Sequence, residues 1–322
     1  MKRILGRLLF SFWLLLGLVM CLLFLIGQRT LLSVSENTER IEAPVLSELE
    51  TEKNIVEKNQ QTFFDEQAIQ PVTPNEFAEA QINYERIIDQ LGIGAIYIPS
   101  ASIYTPILAG MSNENLTIGV GTYRPEQRLG RSNYVVLSHN LVETGGVLGQ
   151  LPNAQIGSII YATDFSTVYE YKISLNQIIH ANDVQYVEET TPDELSKITL
   201  FRCEGALDTE DRYLVQGELT QKYPISEATE ELLEKLGLME TTIIYGTQPS
   251  PAINSTNYQQ LDDAIEPMAI EFQLEEKAVY SMNSRFTWME QLGILTFKVI
   301  NEHYLLGAIL YFLGLLFLLL FF

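Results

Sequence analysis

Two stretches without charged residues, one at each end of the chain, constrain the fold most strongly. Residues 8–26 and residues 304–322 contain no Asp, Glu, Lys or Arg and are rich in Leu and Phe. Each reaches the length of about 20 residues that an α-helix needs to span a bilayer. We therefore predict a membrane helix at each end of the chain, with the intervening body on one side of the membrane.

The charges around the first apolar stretch predict its orientation. Lys2, Arg3 and Arg7 precede it, and positively charged residues favour the cytoplasmic side. Residues 27–32 (Gly-Gln-Arg-Thr-Leu-Leu) match a signal-peptide cleavage site poorly, so we expect an anchor that is retained. The N-terminus is thus predicted to be cytoplasmic, the body extracellular, and the C-terminus cytoplasmic if the second stretch also spans.

The charge balance excludes one class of partner. The chain has 41 acidic and 20 basic residues, which gives a net charge of −21. The backbone of a nucleic acid is negatively charged and repels such a surface. We therefore expect no DNA or RNA partner.

The composition changes along the chain and predicts five parts. The polar, acidic second part is a stalk with a helix over residues 75–90, capped by Asn75. The predicted parts are residues 1–27 (membrane anchor), 28–90 (stalk and N-terminal helical segment), 91–222 (β-rich body), 223–303 (extracellular linker) and 304–322 (transmembrane helix).

The β-rich body has the pattern of a sheet sandwich or barrel. Runs of β-branched and aromatic residues recur between Gly, Pro, Asn and Asp. Short helices are expected to begin near Asn113 and Thr191, and an amphipathic helix is expected over residues 227–238. The clearest strand candidates are residues 94–99, 134–137, 158–161, 168–173, 198–201 and 212–219.

Few residues of this body can carry nucleophilic chemistry. Cys203 is its only cysteine, because Cys21 lies within the first apolar stretch. His139 and Cys203 each end an apolar run, and Arg212 begins the run after the loop that follows Cys203. A reactive thiolate needs a proton acceptor and nearby positive charge, and an arginine can hold a carbonyl or an oxyanion. At this point an inert buried cysteine and a structural histidine remain the alternative.

The other histidines do not suggest a metal centre. His180 is predicted to end a strand, and His303 adjoins the second apolar stretch. One cysteine and three dispersed histidines lack the spacing of a zinc site.

Several motifs of the body resemble those of the sortase family. The run Thr199–Cys203 (Thr-Leu-Phe-Arg-Cys), with the strand that Arg212 begins, resembles the sortase signature Thr-Leu-x-Thr-Cys and its downstream arginine. Residues 133–140, which include His139, resemble the sortase histidine motif. The ordered resemblance covers about residues 91–222.

The resemblance implies a mainly β fold, a closed eight-stranded barrel with short helices, here flanked by two transmembrane helices. It implies a cell-surface transpeptidase that cleaves a Leu-Pro-x-Thr-Gly-like sorting signal between Thr and Gly through a thioacyl intermediate on Cys203. His139 is then expected to be the general acid and base, and Arg212 to hold the substrate and the oxyanion.

Further expectations follow from the same resemblance. Ser138, Thr199 and Leu200 are expected to contact the substrate. The partners are surface proteins with a sorting signal and an amine acceptor on a peptidoglycan precursor of a Gram-positive cell wall. No organic cofactor is expected. Calcium assists some relatives, and a loop that is either a calcium site or simply solvated contains Asp183, Glu188, Glu189, Asp193 and Glu194.

Two features leave the subclass open. Arg202 stands where the family usually has threonine before the cysteine, and it either adds positive potential beside the thiolate or points away. Residues 149–157 and 208–215 resemble class A, the housekeeping type. A C-terminal membrane helix is typical of class C, the pilin polymerases, although the sequence lacks their Asp-Pro-aromatic lid tripeptide. We predict class A-like chemistry on a chain with two anchors.

Two alternatives come from other classes of protein. A non-catalytic surface binding module would use the barrel as a scaffold and would not need Cys203. A cysteine peptidase would release its product to water, so incorporation of an added amine separates it from a transpeptidase.

Overall fold

A computed structural model describes residues 2–36, 43–141, 146–204, 210–238 and 286–321. Over these residues the chain forms helices and strands that are joined by loops and short 3₁₀ turns. The helices are α1 (Lys2–Glu36), α2 (Glu48–Asn59), α3 (Pro74–Ile82), α4 (Tyr84–Leu91), α5 (Asn113–Ile118), α6 (Glu230–Leu236) and α7 (Trp288–Phe321). The strands are β1 (Gly92–Ile98), β2 (Ile103–Leu108), β3 (Val120–Thr122), β4 (Asn133–Ser138), β5 (Ile159–Thr163), β6 (Thr167–His180), β7 (Lys197–Cys203) and β8 (Asp211–Pro224).

The eight strands close into a barrel in the order β1-β2-β3-β4-β7-β8-β6-β5. The predicted closed eight-stranded barrel is therefore confirmed. Two pairs of adjacent strands, β2 with β3 and β4 with β7, are parallel. The other adjacent pairs are antiparallel. The parallel pairing of β4 with β7 makes both strands end at the same edge of the barrel.

The interior of the barrel is filled by apolar side chains that alternate along the strands. Ile96, Val136, Ile160, Leu200 and Val215 are completely buried and belong to one cluster. Burial of one such side chain contributes about 1.5–3 kcal/mol. Apolar packing therefore holds the strands, and polar groups are carried at the barrel edge where the strands end.

The helical segment before the barrel differs in detail from the prediction. Residues 75–90 form two helices, α3 and α4, because the chain turns at Asn83. The cap of α3 is Thr73, not Asn75. The Thr73 side chain accepts from the Glu76 backbone N–H, and the Glu76 carboxylate accepts from the Thr73 N–H at 2.8 Å. This capping box places Pro74 at the first helical position, where a missing N–H costs nothing.

The two other predicted short helices have different outcomes. The predicted helix near Asn113 is α5. The predicted helix near Thr191 does not form, and the residues make a turn in which the Glu194 carboxylate accepts from the Thr191 N–H and hydroxyl at 2.8 and 3.0 Å. The signal was misleading because these capping contacts also close an isolated turn, and β7 begins at Lys197 before a helix can extend.

The C-terminal part contains one shorter and one longer helix than predicted. The helix expected over residues 227–238 is confined to α6, which ends where Gly237 adopts a φ of 73°. Residues 239–285, most of the predicted linker, lie outside the described residues. Helix α7 begins at Trp288, well before residue 304, and has a kink at His303. The prediction was too short because it rested on an uncharged stretch, and the first turns of α7 carry charged residues.

Helices α1 and α7 are long and apolar enough to cross a membrane, and they pack side by side in opposite directions. The rings of Trp13 and Tyr311 stack at 5.9 Å between centroids. Nearer the barrel, Gly27 lies so close to Gly293 that a Cβ on Gly27 would stand 2.2 Å from the Gly293 carbonyl oxygen. Small residues allow such close helix contacts in lipid. The two helices thus form one hairpin.

The hairpin contacts the barrel domain through α3. Leu31 of α1 and Ile294 of α7 are buried in one cluster with Ala78 of α3. The Lys298 ammonium also lies 2.8 Å from the Glu79 carboxylate. The two apolar helices and the barrel domain are therefore joined through packed helices as well as through the chain.

Candidate active site

Strand register brings the three predicted catalytic residues to one edge of the barrel. Cys203, the last residue of β7, is the direct partner of Arg212 in β8. In the parallel pair, Ser138 of β4 is the partner of Arg202 in β7, so His139 follows at the level of Cys203. Neighbouring strands lie about 4.8 Å apart. The sequence-distant histidine, cysteine and arginine thus lie on three adjacent strands.

The register also decides which face each side chain takes. Direct partners in a sheet share a face, and successive residues alternate. Cys203 and Arg212 therefore share a face with Phe201 and Leu137, away from the barrel interior. Both Cys203 and Arg212 are partly exposed. The Cys203 thiol is accordingly accessible from outside the barrel.

The imidazole of His139 is held in a buried position by α5 and by the segment before α3. Its Nε2 lies 3.2 Å from Asn113 Oδ1, and the Gln70 backbone N–H donates to the same oxygen at 3.1 Å. Because a backbone N–H can only donate, the shared Asn113 atom is an acceptor, and Nε2 is the protonated nitrogen. In the neutral ring, Nδ1 is then the basic atom.

The protonation state of His139 follows from this burial. Burial lowers the pKa of His139 to about 4, and the nearby Glu76 carboxylate raises it by a smaller amount. The charged imidazolium loses more hydration than the neutral ring when the site is buried. At neutral pH the ring in this structure is therefore neutral and is able to accept a proton.

An apolar cluster lies on the same face of the sheet as Cys203. It contains Val135, Leu137 and Phe201 of β4 and β7, which pack with Leu116 of α5. Phe64, in the chain between α2 and α3, packs against the same cluster. The apolar cluster is thus partly covered by the segment that precedes the barrel.

The loop between β6 and β7 is fixed through its backbone. The Arg124 guanidinium donates to the Val187 carbonyl at 2.6 Å and to the Asn133 carbonyl at 2.7 Å. The Asn133 amide donates to the carbonyls of Tyr186 and Glu188, each at 2.9 Å. Charge-assisted hydrogen bonds of this kind are stronger than neutral ones. The loop, whose Tyr186 and Val187 pack on the apolar cluster, is therefore held by a protein cation and an amide.

Two acidic residues of this loop, Asp183 and Glu194, have partners within the protein. The Asp183 carboxylate accepts from the His180 backbone N–H at 2.9 Å. Glu194 accepts from Thr191 and lies 3.5 Å from the Lys197 ammonium. Among the described residues, no group of three or more His, Cys, Asp and Glu side chains is arranged to hold a metal ion.

The side chain of Arg202 points away from the thiol. It shares the opposite face of the sheet with Ser138 and Tyr213, and only 7% of the residue is exposed. Its guanidinium lies 3.1 Å from the Glu204 carboxylate. Of the two readings of this departure from the sortase signature, the geometry favours the one in which the charge faces elsewhere.

The three predicted substrate contacts are all buried. Thr199 shares the face of Cys203, but its hydroxyl donates to Asn133 Oδ1 at 2.7 Å and accepts from the Gln216 amide at 2.8 Å. Ser138 and Leu200 lie on the interior face. The register does not favour direct substrate contact by their side chains, and their predicted role stays a prediction.

Two polar residues of this site were missed from the sequence. Asn113 was identified only as a helix start, and Arg124 was not singled out. Both come from segments far from Cys203 in the chain, and only the folded barrel brings them to His139 and to the loop between β6 and β7. The one available signal was the position of Asn113 in the first turn of a helix beside the histidine strand.

Several known proteins and one family model are similar to this chain. A family model described as the sortase domain matches residues 96–220. A putative sortase, YwpE of Bacillus subtilis, is 37% identical over 100 residues, which cover 31% of this chain and 95% of that protein. Sortase A of Streptococcus agalactiae is 30% identical over 189 residues, which cover 56% of this chain and 74% of that protein.

A solved structure, that of Listeria monocytogenes sortase A, is 27% identical, with a TM-score of 0.42, and covers 46% of this chain and 97% of that chain. The closed barrel and the sequence relatives together define a cysteine transpeptidase. The chain belongs to the sortase family.

Proposed function

We propose that this protein is a membrane-anchored transpeptidase that cleaves a Leu-Pro-x-Thr-Gly-like sorting signal between Thr and Gly and joins the new carboxyl end to a cell-wall amine. The observation that carries the proposal is the register of β4, β7 and β8, which lines up His139, Cys203 and Arg212 at one edge. A nucleophile, a proton carrier and a fixed cation on adjacent strands are the groups that acyl transfer needs.

In the first step, the neutral His139 ring takes the thiol proton at Nδ1, and the Cys203 thiolate attacks the threonine carbonyl carbon. The new C–S bond pushes an electron pair onto the carbonyl oxygen. When this oxyanion collapses, the C–N bond breaks, and the imidazolium returns its proton to the leaving glycine amine. An amine is a poor leaving group without that proton. The product is a thioester on Cys203.

In the second step, an amine attacks the thioester carbonyl, and His139 removes the proton that the attacking nitrogen loses. The thiolate leaves as the new amide forms, and the imidazolium reprotonates it. Both steps use His139 in its neutral and its protonated state. The same residue thus acts as base and as acid.

Arg212 is proposed to hold the substrate carbonyl and the oxyanion. Its guanidinium donates to the Asp211 carbonyl at 3.0 Å, on the same edge as the thiol. An arginine never deprotonates in proteins, so it is not the base. A fixed donor near the developing oxyanion stabilises the transition state more than the ground state.

The proposed partners are surface proteins with a sorting signal and a peptidoglycan precursor that supplies the amine. The two apolar helices support membrane association, and the basic residues before α1 favour a cytoplasmic N-terminus with the barrel outside. No organic cofactor is invoked, because the thiol, the imidazole and the guanidinium supply each group that the two steps use.

A pilin-polymerising activity of the class C type is the second candidate. The observation that favours it is α7, a second apolar helix that packs against α1. The amine acceptor would then be a lysine of another pilin subunit. The relatives named sortase A favour the housekeeping activity.

The proposed function is tested with the full-length protein in detergent and a Leu-Pro-x-Thr-Gly peptide. Mass spectrometry should detect the peptide cut after Thr and, when an amine such as triglycine is added, the ligated product. Hydrolysis without ligation would indicate a cysteine peptidase. The absence of any cleavage, with an intact thiol, would favour a binding module.

A further inference from the structure

Arg202 makes contacts with three separate parts of the site, although its side chain points away from Cys203. Its Nε donates to the Leu148 carbonyl at 3.2 Å, and one Nη donates to the Cys203 carbonyl at 2.9 Å. The other Nη lies 3.1 Å from the Glu204 carboxylate, and the guanidinium carbon lies 5.9 Å from the centre of the Tyr213 ring. A nearly buried guanidinium is thus supplied with acceptors on each side.

These acceptors connect the nucleophile to the histidine. Leu148 belongs to the 3₁₀ turn Gly146–Leu148 in the connection after His139. Gly146, with a φ of 69°, lies against His139, and a Cβ there would stand 2.5 Å from the His139 carbonyl oxygen. The chain of contacts therefore runs from the Cys203 carbonyl through Arg202 and the turn to the backbone of His139.

The charge of Arg202 is not offered to the thiol. Glu204 neutralises it at 3.1 Å, on the face of the sheet opposite to the Cys203 side chain. Opposite charges this close cancel most of each other's field at a third site. A threonine, which the sortase signature has at this position, is too short to reach a carbonyl in another loop.

We propose that Arg202, paired with Glu204, is a positioning residue that fixes the Cys203 backbone relative to the turn after His139 and so sets the alignment of thiol and imidazole. This inference rests on the proposed transpeptidase function of the same site. The pair acts through geometry, and the catalytic groups themselves remain Cys203, His139 and Arg212. A misplacement of about 1 Å in such a site lowers the rate by about 10²-fold.

The test compares the variants Arg202→Met and Glu204→Met, alone and combined, in the full-length protein. Each single variant leaves one charge without its partner and should lower the melting temperature, whereas the double variant removes both charges and should recover most of it. The double variant should still show kcat lowered by about 10- to 100-fold with KM unchanged, because the Cys203 thiol and the apolar cluster lie on the other face. Arg202→Gln, which keeps a donor for one carbonyl, should lie between.

The matched control is the ion pair between Arg128 and Glu52, whose guanidinium and carboxylate meet at 2.8 and 2.9 Å before β4 begins. Replacement of both by Met should leave kcat unchanged. Recovery of kcat together with the melting temperature in the Arg202 and Glu204 double variant would overturn the proposal. A raised pH midpoint for alkylation of Cys203 in this double variant would also overturn the proposal, because it would mean that Arg202 acts through its charge.

A measurement without substrate separates this proposal from the proposed function. With ¹³C-labelled histidine, alkylation of Cys203 should shift the His139 ring signal in the wild type and shift it less in the double variant. Equal shifts would overturn the positioning role. If the wild type turned over no sorting peptide, the proposed function would fail, and the His139 signal would still decide on Arg202.

Discussion

Removal of the His139 ring distinguishes transpeptidase chemistry from simple reactivity of the Cys203 thiol. An alkylating agent needs only the Cys203 thiolate, whereas peptide cleavage also needs a proton for the leaving amine. His139→Ala should therefore lower peptide turnover by about 10²–10⁴-fold and lower alkylation of Cys203 far less. Both rates are measured on the same folded variant, with His180→Ala as the control histidine. Equal fractional losses would mean that His139 only supports the fold.

The planar guanidinium of Arg212 gives a second prediction for a single residue. Arg212→Lys keeps the positive charge but replaces a rigid fork of donors by one compact ammonium. Loss of one oxyanion donor typically lowers kcat by about 10²–10³-fold, and we expect a loss of that order in steady-state peptide cleavage. A rate near that of the wild type would show that Arg212 supplies only diffuse charge.

For single residues, the sequence was sufficient to predict a position where the residue lies at the end of a predicted strand. His139 and Cys203 each end an apolar run, and register alone brings those ends together. The sequence was insufficient for Asn113 and Arg124, because their partners come from other loops. The sequence also left open which way the Arg202 side chain points. Side chains alternate between the two faces of a strand, but the face of each residue is known only once β7 is paired with β4 and β8.

The loop between β6 and β7 shows how one element depends on groups outside it. Arg124 and Asn133 hold its backbone carbonyls, so the loop is ordered by the protein itself. Arg124→Met should loosen this loop and raise KM for the peptide by about tenfold, while kcat stays within about twofold. The control for these steady-state kinetics is Arg131→Met. Arg131 is exposed and lies, like Arg124, in the connection between β3 and β4.

The same geometry bears on calcium. Because a guanidinium already orders the loop, we expect the wild-type rate to be equal in calcium and in a chelator. A strong stimulation by calcium would contradict this account of the loop.

Element boundaries show where sequence patterns stop being informative. Each of the six predicted strand runs coincides with a strand, although Pro99 and Ser158 fall just outside β1 and β5, since alternation with turn residues on both sides is a local signal. The predicted helix at Thr191 failed because a capping pattern specifies a turn and not its continuation. Helix α7 was predicted too short because its first turns carry charges that face α3, as in the contact between Lys298 and Glu79.

At the scale of the whole molecule, the antiparallel hairpin of α1 and α7 predicts a topology. If both helices span, both termini lie on one side, and Lys2, Arg3 and Arg7 favour the cytoplasm. Reporters fused before Lys2 and after Phe322 should therefore both be cytoplasmic, as read by paired reporters active on opposite sides of the membrane. An extracellular C-terminal reporter would mean that α7 does not span, and it would remove the feature shared with class C.

The hairpin also bears on how the catalytic edge is presented. Residues of α1, α3 and α7 share one cluster, α3 packs on α5, and Asn113 of α5 contacts His139. The barrel is thus joined to the membrane helices by the same elements that hold the histidine. The full-length protein, and not an isolated barrel, is accordingly the material for each kinetic experiment.

The most direct test of the central claim is the detection of the acyl-enzyme on Cys203. The wild type and Cys203→Ala are mixed with a Leu-Pro-x-Thr-Gly peptide, quenched in acid and analysed by peptide mass spectrometry. We expect the Leu-Pro-x-Thr acyl group on Cys203 in the wild type, its loss on addition of an amine, and neither adduct nor cleavage in Cys203→Ala. Circular dichroism and melting temperature confirm that the variant is folded. Peptide cleavage by folded Cys203→Ala would contradict the assignment of Cys203 as the nucleophile.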